Sequence, residues 1–193
     1  MRDMPRPSQA LRADFFARPA DRVARDLLGT WLVVRRRDGT LERHVVHETE
    51  AYLGAHDLAC HGARGMTPRN AVMFGPAGRW YVYLCYGIHW MLNVVTGAEG
   101  VPAAVLIRGA GDFTGPGRVT KGLGIDRSFD GRPASRPTGL WLAGDPGRVS
   151  RRIVSRTPRI GVGYAGLWAE KPLRFVVDPA RLDTLSESRS ERP

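Results

Sequence analysis

Two β-rich runs, Trp31 to Arg36 and Leu41 to Tyr52, meet across Arg37-Asp38-Gly39. An Asp-Gly pair between such runs is a strong signal for a tight reversal, because both residues tolerate the left-handed backbone that the turn requires. The spacing predicts a β-hairpin whose long second strand carries the segment HETEAY. Trp80 to Cys85 and His89 to Thr96, separated only by Tyr86-Gly87-Ile88, predict a second hairpin. Further strands are expected at Val101 to Arg108, Leu140 to Ala143 and Leu173 to Asp178, with Arg159 to Ala165 as a Gly-rich loop or strand. Helical spacing is confined to Ala20 to Leu28, with Asp21 in the first turn and Gly29 as a stop, and to a short stretch within Gly115 to Gly124. The latter is entered through Gly-Pro-Gly, which reads either as backbone N–H groups facing a phosphate or as a plain turn before a packing helix. Many strands and few helices make the expected class α+β: a single domain with a curved, mostly antiparallel β-sheet and peripheral helices.

A length of 193 residues accommodates one domain with a sizeable core. An apolar fraction of 42% and a charged fraction of 25% exclude a fibrous or wholly disordered chain. The expected organisation is a flexible leader over 1–13, a folded domain over 14–180 and a disordered polar tail over 181–193. No apolar run approaches the ~20 residues needed to span a bilayer, and no basic amphipathic run anchors the chain to one. Cys60 and Cys85 cannot build a disulfide framework, and no secretory leader is evident, so a reduced, intracellular setting is expected.

A formal net charge of +10 favours a polyanionic partner such as nucleic acid. All but two of the 29 basic residues are Arg, the exceptions being Lys121 and Lys171. Arg forks onto phosphate oxygens and stacks on bases, although an Arg-rich chain also follows from GC-rich coding.

The densest chemistry runs from His47 to Asn93. On a strand, Glu48, Glu50 and Tyr52 share one face while His47, Thr49 and Ala51 share the other. This is either an exposed acidic strand or a wall on which a carboxylate stands beside an aromatic ring. Tyr81 and Tyr83 repeat the alternation, as core or as part of the same wall. Asn93, in the middle of an apolar strand, must be hydrogen-bonded or face a polar cavity. Tyr86, beside Gly87 at a hairpin tip, either folds back on the sheet or projects outward as a wedge for a base stack. A metal site is the rival reading, since His44, His47, His56, Cys60, His61, Glu48 and Glu50 lie close in sequence. The P-C-x-x-C partner of the zinc deaminases and the H-E-x-x-H motif are both missing, so no metal is expected.

Taken together, HETEAYLG, ACH, TPRN, MFGPAG, YVYLCYGIHWMLN, the Arg108 of AVLIRGA, GPGR, GLGIDRSFDGR and GVGYAGLWAEKPLRF resemble the alkyladenine (3-methyladenine) DNA glycosylase family over roughly residues 20 to 178. The resemblance implies an enzyme that flips alkylated or deaminated purines out of duplex DNA and hydrolyses the N-glycosidic bond, leaving an abasic site. It implies Glu50 as the carboxylate that activates water, and Tyr52, His61 and Tyr83 as the rings around the base. Asn93 would crowd the purine 2-position, Tyr86 would intercalate, and Arg108 would stand near the nucleotide's phosphate. Neither lysine lies in the central stretch, so a monofunctional, water-using enzyme without lyase activity is expected. No cofactor is expected, and the partner is damaged double-stranded DNA, bound by a monomer in a bacterial-type cell. A non-catalytic nucleic-acid-binding module and a zinc hydrolase or deaminase remain the alternatives. The sequence departs from the family pattern at His47, where an apolar residue is usual, and in the short span from Arg108 to Gly115.

Overall fold

The structure is a computed structural model and describes residues 9–145, 147 and 149–182. Its strands are β1 (Trp31–Arg35), β2 (Leu41–Tyr52), β3 (Trp80–Cys85), β4 (His89–Thr96), β5 (Ala103–Ala110), β6 (Phe113–Thr114), β7 (Leu140–Ala143), β8 (Ser155–Thr157) and β9 (Arg174–Val176). The helices are short: α1 (Ala13–Phe16), α2 (Ala20–Asp26) and α3 (Pro116–Leu123). All pairings are antiparallel, in the order β3-β4-β5-β2-β1-β7, with β6 on β5, β9 on β2 and β8 on β9. The α+β expectation of a curved antiparallel sheet with peripheral helices is met.

The curvature originates in β2. Its first half pairs with β1, whereas Thr49 faces Ile107 of β5 on one edge and Phe175 of β9 on the other. Between Val46 and Thr49 the register with β5 shifts, a bulge that bends the strand and increases its twist. The face carrying Val46 and Ala51 packs on Val23, Ala24 and Leu27 of the α2 segment in the main core. Thr49 secures that contact by donating its hydroxyl to the Ala24 carbonyl at 2.8 Å. His47, on the same side, is buried over Gly109, where a Cβ would lie 2.2 Å from its imidazole Cε1. The departure at His47 is therefore accommodated by a glycine on the neighbouring strand.

Both predicted hairpins are present, and β2, β3, β4 and β7 have their expected bounds. The fifth strand starts at Ala103 rather than Val101, because Pro102 has no N–H to give a ladder. It runs on to Ala110, turning through Gly111 (φ 55°) into β6, so the short span from Arg108 to Gly115 is a tight hairpin. Leu27 and Leu28 leave the helix after Asp26, and Gly29 follows at φ 79°. The predicted 173–178 strand contracts to β9, and β8 was not anticipated. The stretch from Arg159 is loop and then a 3-10 turn over Gly163–Trp168.

Residues 53–79 contain no strand, yet they are held by two side chains. Asp57 accepts from the Leu53 and Ala59 amides at 3.0 and 3.1 Å. Asn70 donates to the His61 and Gly65 carbonyls at 2.9 and 3.0 Å and accepts from the Thr67 amide. Residues 1–8 of the expected leader and 183–193 of the expected tail lie outside the described residues. Ala10 and Leu11, by contrast, lie against β7, through an Ala10–Ala143 bridge and the Leu11 N–H on the Leu142 carbonyl.

Candidate active site

The loop 53–79 covers the sheet face opposite α2, and a cavity of about 700 Å³ opens there. That volume suits a small organic ligand or one nucleotide base with its sugar. Tyr52, His61, Tyr83, Asn93, Tyr86 and Arg108 all line it, so six of the seven expected site residues converge on one space. The seventh, Glu50, lies directly behind the wall and is 0% exposed.

Glu50 is held from three sides. Tyr52 donates its hydroxyl to Oε2 at 3.0 Å, the Ile160 amide donates to Oε1 at 2.8 Å, and Arg108 Nε stands 3.4 Å from Oε1. Its neighbour Glu48 sits between two guanidinium groups, 2.9 Å from Arg108 Nε and 2.6 Å from Arg174 Nε. Burial outweighs these partners at Glu50 and pushes its carboxyl above the ordinary range. Burial acts on Glu48 too, but there Arg174 and Arg108 prevail and hold the carboxyl low. Two acids two residues apart thus have pKa values displaced in opposite directions, the arrangement that separates a fixed charge from a group tuned for proton transfer.

The rings form a partial cage. His61 meets Tyr83 edge-on with centroids 4.6 Å apart, and its Nδ1 lies 2.9 Å from the Tyr81 hydroxyl. Tyr81 and Tyr83 are tilted at 5.3 Å, and Tyr81, though only 1% exposed, lines the cavity beside Tyr83. Burial, helped by Arg69, lowers the His61 pKa and favours neutral imidazole. Burial likewise keeps the Tyr52 and Tyr83 phenols protonated. Asn93 points its Nδ2 at the Tyr81 and Met91 carbonyls, at 3.1 and 3.3 Å, satisfying the requirement for a partnered mid-strand amide.

Tyr86 projects from the β3–β4 tip and is 93% exposed. With φ at 49° it has the one positive φ found outside glycine among the described residues, and Gly87 follows at 71°. The two positive φ values form the tight turn closed by the Ile88 N–H on the Cys85 carbonyl at 3.0 Å, inside a three-residue connection whose tip carries the ring at the cavity rim.

Several lining residues were not foreseen. Tyr164, 71% exposed, borders the opening and donates its hydroxyl to the Ala59 carbonyl at 3.3 Å. Its setting in Gly-Tyr-Ala-Gly is the same kind of signal as Tyr86-Gly87. Arg69, whose guanidinium lies 5.5 Å from the Tyr83 centroid, and Ile160 carry no comparable mark in the sequence. The histidines are dispersed: His44 lies beside Glu42 and Phe113, His47 under Gly109, and His56 against Trp168. Among the described residues no group of three or more His, Cys, Asp or Glu is placed to hold a metal ion. Nor is any described helix long and apolar enough to cross a membrane.

The chain is similar over most of its length to proteins of one family. The family model described as methylpurine-DNA glycosylase matches residues 14–114 and 111–181. A protein of Myxococcus xanthus named "Putative 3-methyladenine DNA glycosylase" is 51% identical over 176 residues, covering 86% of this chain and 89% of its own. Proteins of the same name from Legionella pneumophila (strain Lens) and Methanocella arvoryzae are 43% and 42% identical, covering 92% and 86% of this chain and 95% and 90% of their own. With the family model spanning most of the chain and these identities, the chain belongs to the methylpurine-DNA glycosylase family.

Proposed function

We propose that this protein is a monofunctional DNA glycosylase that flips alkylated or deaminated purines out of duplex DNA into the cavity. It hydrolyses the N-glycosidic bond with water activated by Glu50 and leaves an abasic site. The observation that carries the reading is a cavity walled by Tyr52, His61 and Tyr83 and backed by a buried, three-point-anchored Glu50. Electron-poor alkylated purines gain from π faces on several sides. Asn93 restricts the space available to a base that carries an exocyclic 2-amino group. Tyr86 fills the gap left in the stack, and Arg108 lies near the flipped nucleotide's phosphate.

In the reaction the water oxygen bonds to the anomeric carbon as the bond from that carbon to the base nitrogen breaks. The bonding pair leaves with the base, and the water's proton passes to Glu50. A cationic alkylated purine departs as a neutral base, whereas a deaminated purine departs as an anion that takes a proton from solvent water. The departing base leaves an oxocarbenium-like sugar, which the ionised carboxylate stabilises. Because Tyr52 donates to Oε2 at 3.0 Å, a turn of that hydroxyl frees the oxygen for water. Lys121 lies in α3 and Lys171 stacks on Trp168 at 3.9 Å. Neither lines the cavity, which favours hydrolysis over a Schiff base. The protein acts as a monomer on one nucleotide at a time, inside a bacterial-type cell.

Incubation with methylated duplex DNA in EDTA tests the proposal. Release of free 3-methyladenine, with abasic sites and no strand cleavage, is the expected result. Binding without base release would indicate a non-catalytic nucleic-acid-binding module, and loss of release in EDTA would indicate a metal-dependent enzyme.

A further inference from the structure

We infer that the buried Arg159–Asp57 pair is a positioning device that sets Tyr52 and the Glu50 carboxylate for the reaction; the inference rests on Glu50 being the group that activates water. Both side chains are 0% exposed and neither lines the cavity, so they cannot meet substrate directly. Their geometry instead joins three separate pieces of chain. Arg159 Nη1 donates to Asp57 Oδ2 at 2.5 Å and to the Ala51 carbonyl at 2.8 Å. Its Nη2 donates to Asp57 Oδ1 at 2.8 Å and to the Trp168 carbonyl at 3.2 Å. The guanidinium plane thereby ties together β2 between Glu50 and Tyr52, the start of the loop 53–79, and the end of the 159–168 segment.

Two consequences reach the reacting groups. The Tyr52 ring lies over the guanidinium, with its centroid 4.8 Å from Cζ, so the face not offered to a base rests on a fixed cation. The residue after Arg159 is Ile160, whose amide donates to Glu50 Oε1 at 2.8 Å. A loop residue therefore supplies a directed hydrogen bond to a carboxylate on the sheet, and Arg159 anchors that loop. Asp57 is itself fixed by the Leu53 and Ala59 amides, and the Ala59 carbonyl accepts from Tyr164 at the rim. Burying an ion pair is costly. A fold that needed only to close this loop could use apolar packing, whereas a planar five-donor group fixes direction as well as distance.

Arg159→Lys is the informative variant, because it keeps the charge beside Asp57 but cannot serve both carboxylate oxygens and two carbonyls in one plane. The groups facing Glu50 are Tyr52 and Glu48 on β2, Arg108 on β5, Tyr83 on β3 and Arg159 with the Ile160 amide; Arg174 on β9 acts through Glu48. Loss of the amide contact removes a group that favours ionised Glu50. With folded enzyme in excess over methylated DNA, we expect base release to slow about tenfold to a hundredfold, in line with a misplacement on the order of 1 Å. Lesion-DNA affinity should change much less, and the acidic limb of the rate profile should move to higher pH. Ile160→Pro, at a half-exposed position, deletes the amide donor while keeping the Arg159 and Asp57 side chains and should move the same limb. An unmoved limb in both variants, or a slower rate in Arg159→Lys that matches its unfolded fraction, would overturn the inference. Wild type and Glu50→Gln run alongside separate the two claims: a wild type that releases no base sinks the glycosylase reading. An active wild type with inactive Glu50→Gln and fully active Arg159→Lys sinks the positioning role alone.

Discussion

Replacing Glu50 by Gln should slow catalysis by orders of magnitude while leaving the fold intact, and the hydrogen bonds show why. An amide can keep both of the carboxylate's close contacts. Its oxygen accepts from the Ile160 N–H now 2.8 Å from Oε1, and its NH₂ donates to the Tyr52 oxygen now 3.0 Å from Oε2, since a phenol hydroxyl can turn from donor to acceptor. Arg108 loses an attraction at 3.4 Å but retains Glu48 at 2.9 Å. Burial raises the Glu50 pKa, so folding favours the protonated acid. That stabilising contribution is complete below the ordinary carboxyl pKa and fades as pH rises through the raised one. The Gln variant has no group that titrates there, so its stability relative to wild type should improve as pH rises through the raised pKa. Glu50→Ala, in contrast, strands the Ile160 amide and the Tyr52 hydroxyl, at about 1–3 kcal/mol each. Removing a general base costs about 10²- to 10⁴-fold in rate, or roughly 3–5 kcal/mol of barrier at about 1.36 kcal/mol per decade. The assay is single-turnover release of free base from methylated duplex, with thermal unfolding of each variant in parallel. A folded Glu50→Gln enzyme that retains a rate within tenfold of wild type would refute the reasoning. The wild-type rate should also fall on acidification through a pKa above that of an exposed Glu, because only the ionised carboxylate can take water's proton.

Tyr86→Gly should separate stability from function. Relief of the left-handed strain is worth about 1–2 kcal/mol and Gly's added chain freedom costs about 0.5–1 kcal/mol, so unfolding should show a small net stabilisation. Lesion-DNA binding should weaken more than binding to undamaged duplex, and an equal loss in both would argue against a wedge. Gly109→Ala should destabilise by about 1–3 kcal/mol, lowering Tm about 2–4 °C per kcal/mol, because the new methyl meets the His47 imidazole at 2.2 Å. Combining it with His47→Ala should restore most of that loss in thermal denaturation, and a purely additive double variant would show that the two do not clash.

Much of the sheet was legible because it is written in local chemistry. Gly39 (φ 87°) and Gly87 (φ 71°) supply the left-handed backbone at the two reversals, and period-two patterning assigns the faces of β3, β4 and the part of β2 beyond its bulge. Spacing alone left the aim of Tyr86 open, and the gathering of Tyr52, His61, Tyr83, Asn93 and Arg108 at one cavity was expected from the family resemblance rather than from local pattern. Strand ends at Pro102 and Gly111, and the short pieces β8 and β9, depended on neighbours distant in sequence and were less visible.

Alternation alone put Glu48 and Glu50 on one face and left them chemically equivalent. Tertiary structure distinguishes them, because Arg174 arrives from residue 174 to neutralise Glu48 while the Ile160 amide arrives from residue 160 to hold a more deeply buried Glu50. No local pattern marks Arg159 and Asp57 as partners across 102 residues. Sequence by itself determined which side chains could do chemistry and which way each strand presents them. Only the folded chain decided which carboxylate is tuned, because a pKa is set by burial and by charges that the three-dimensional path brings together.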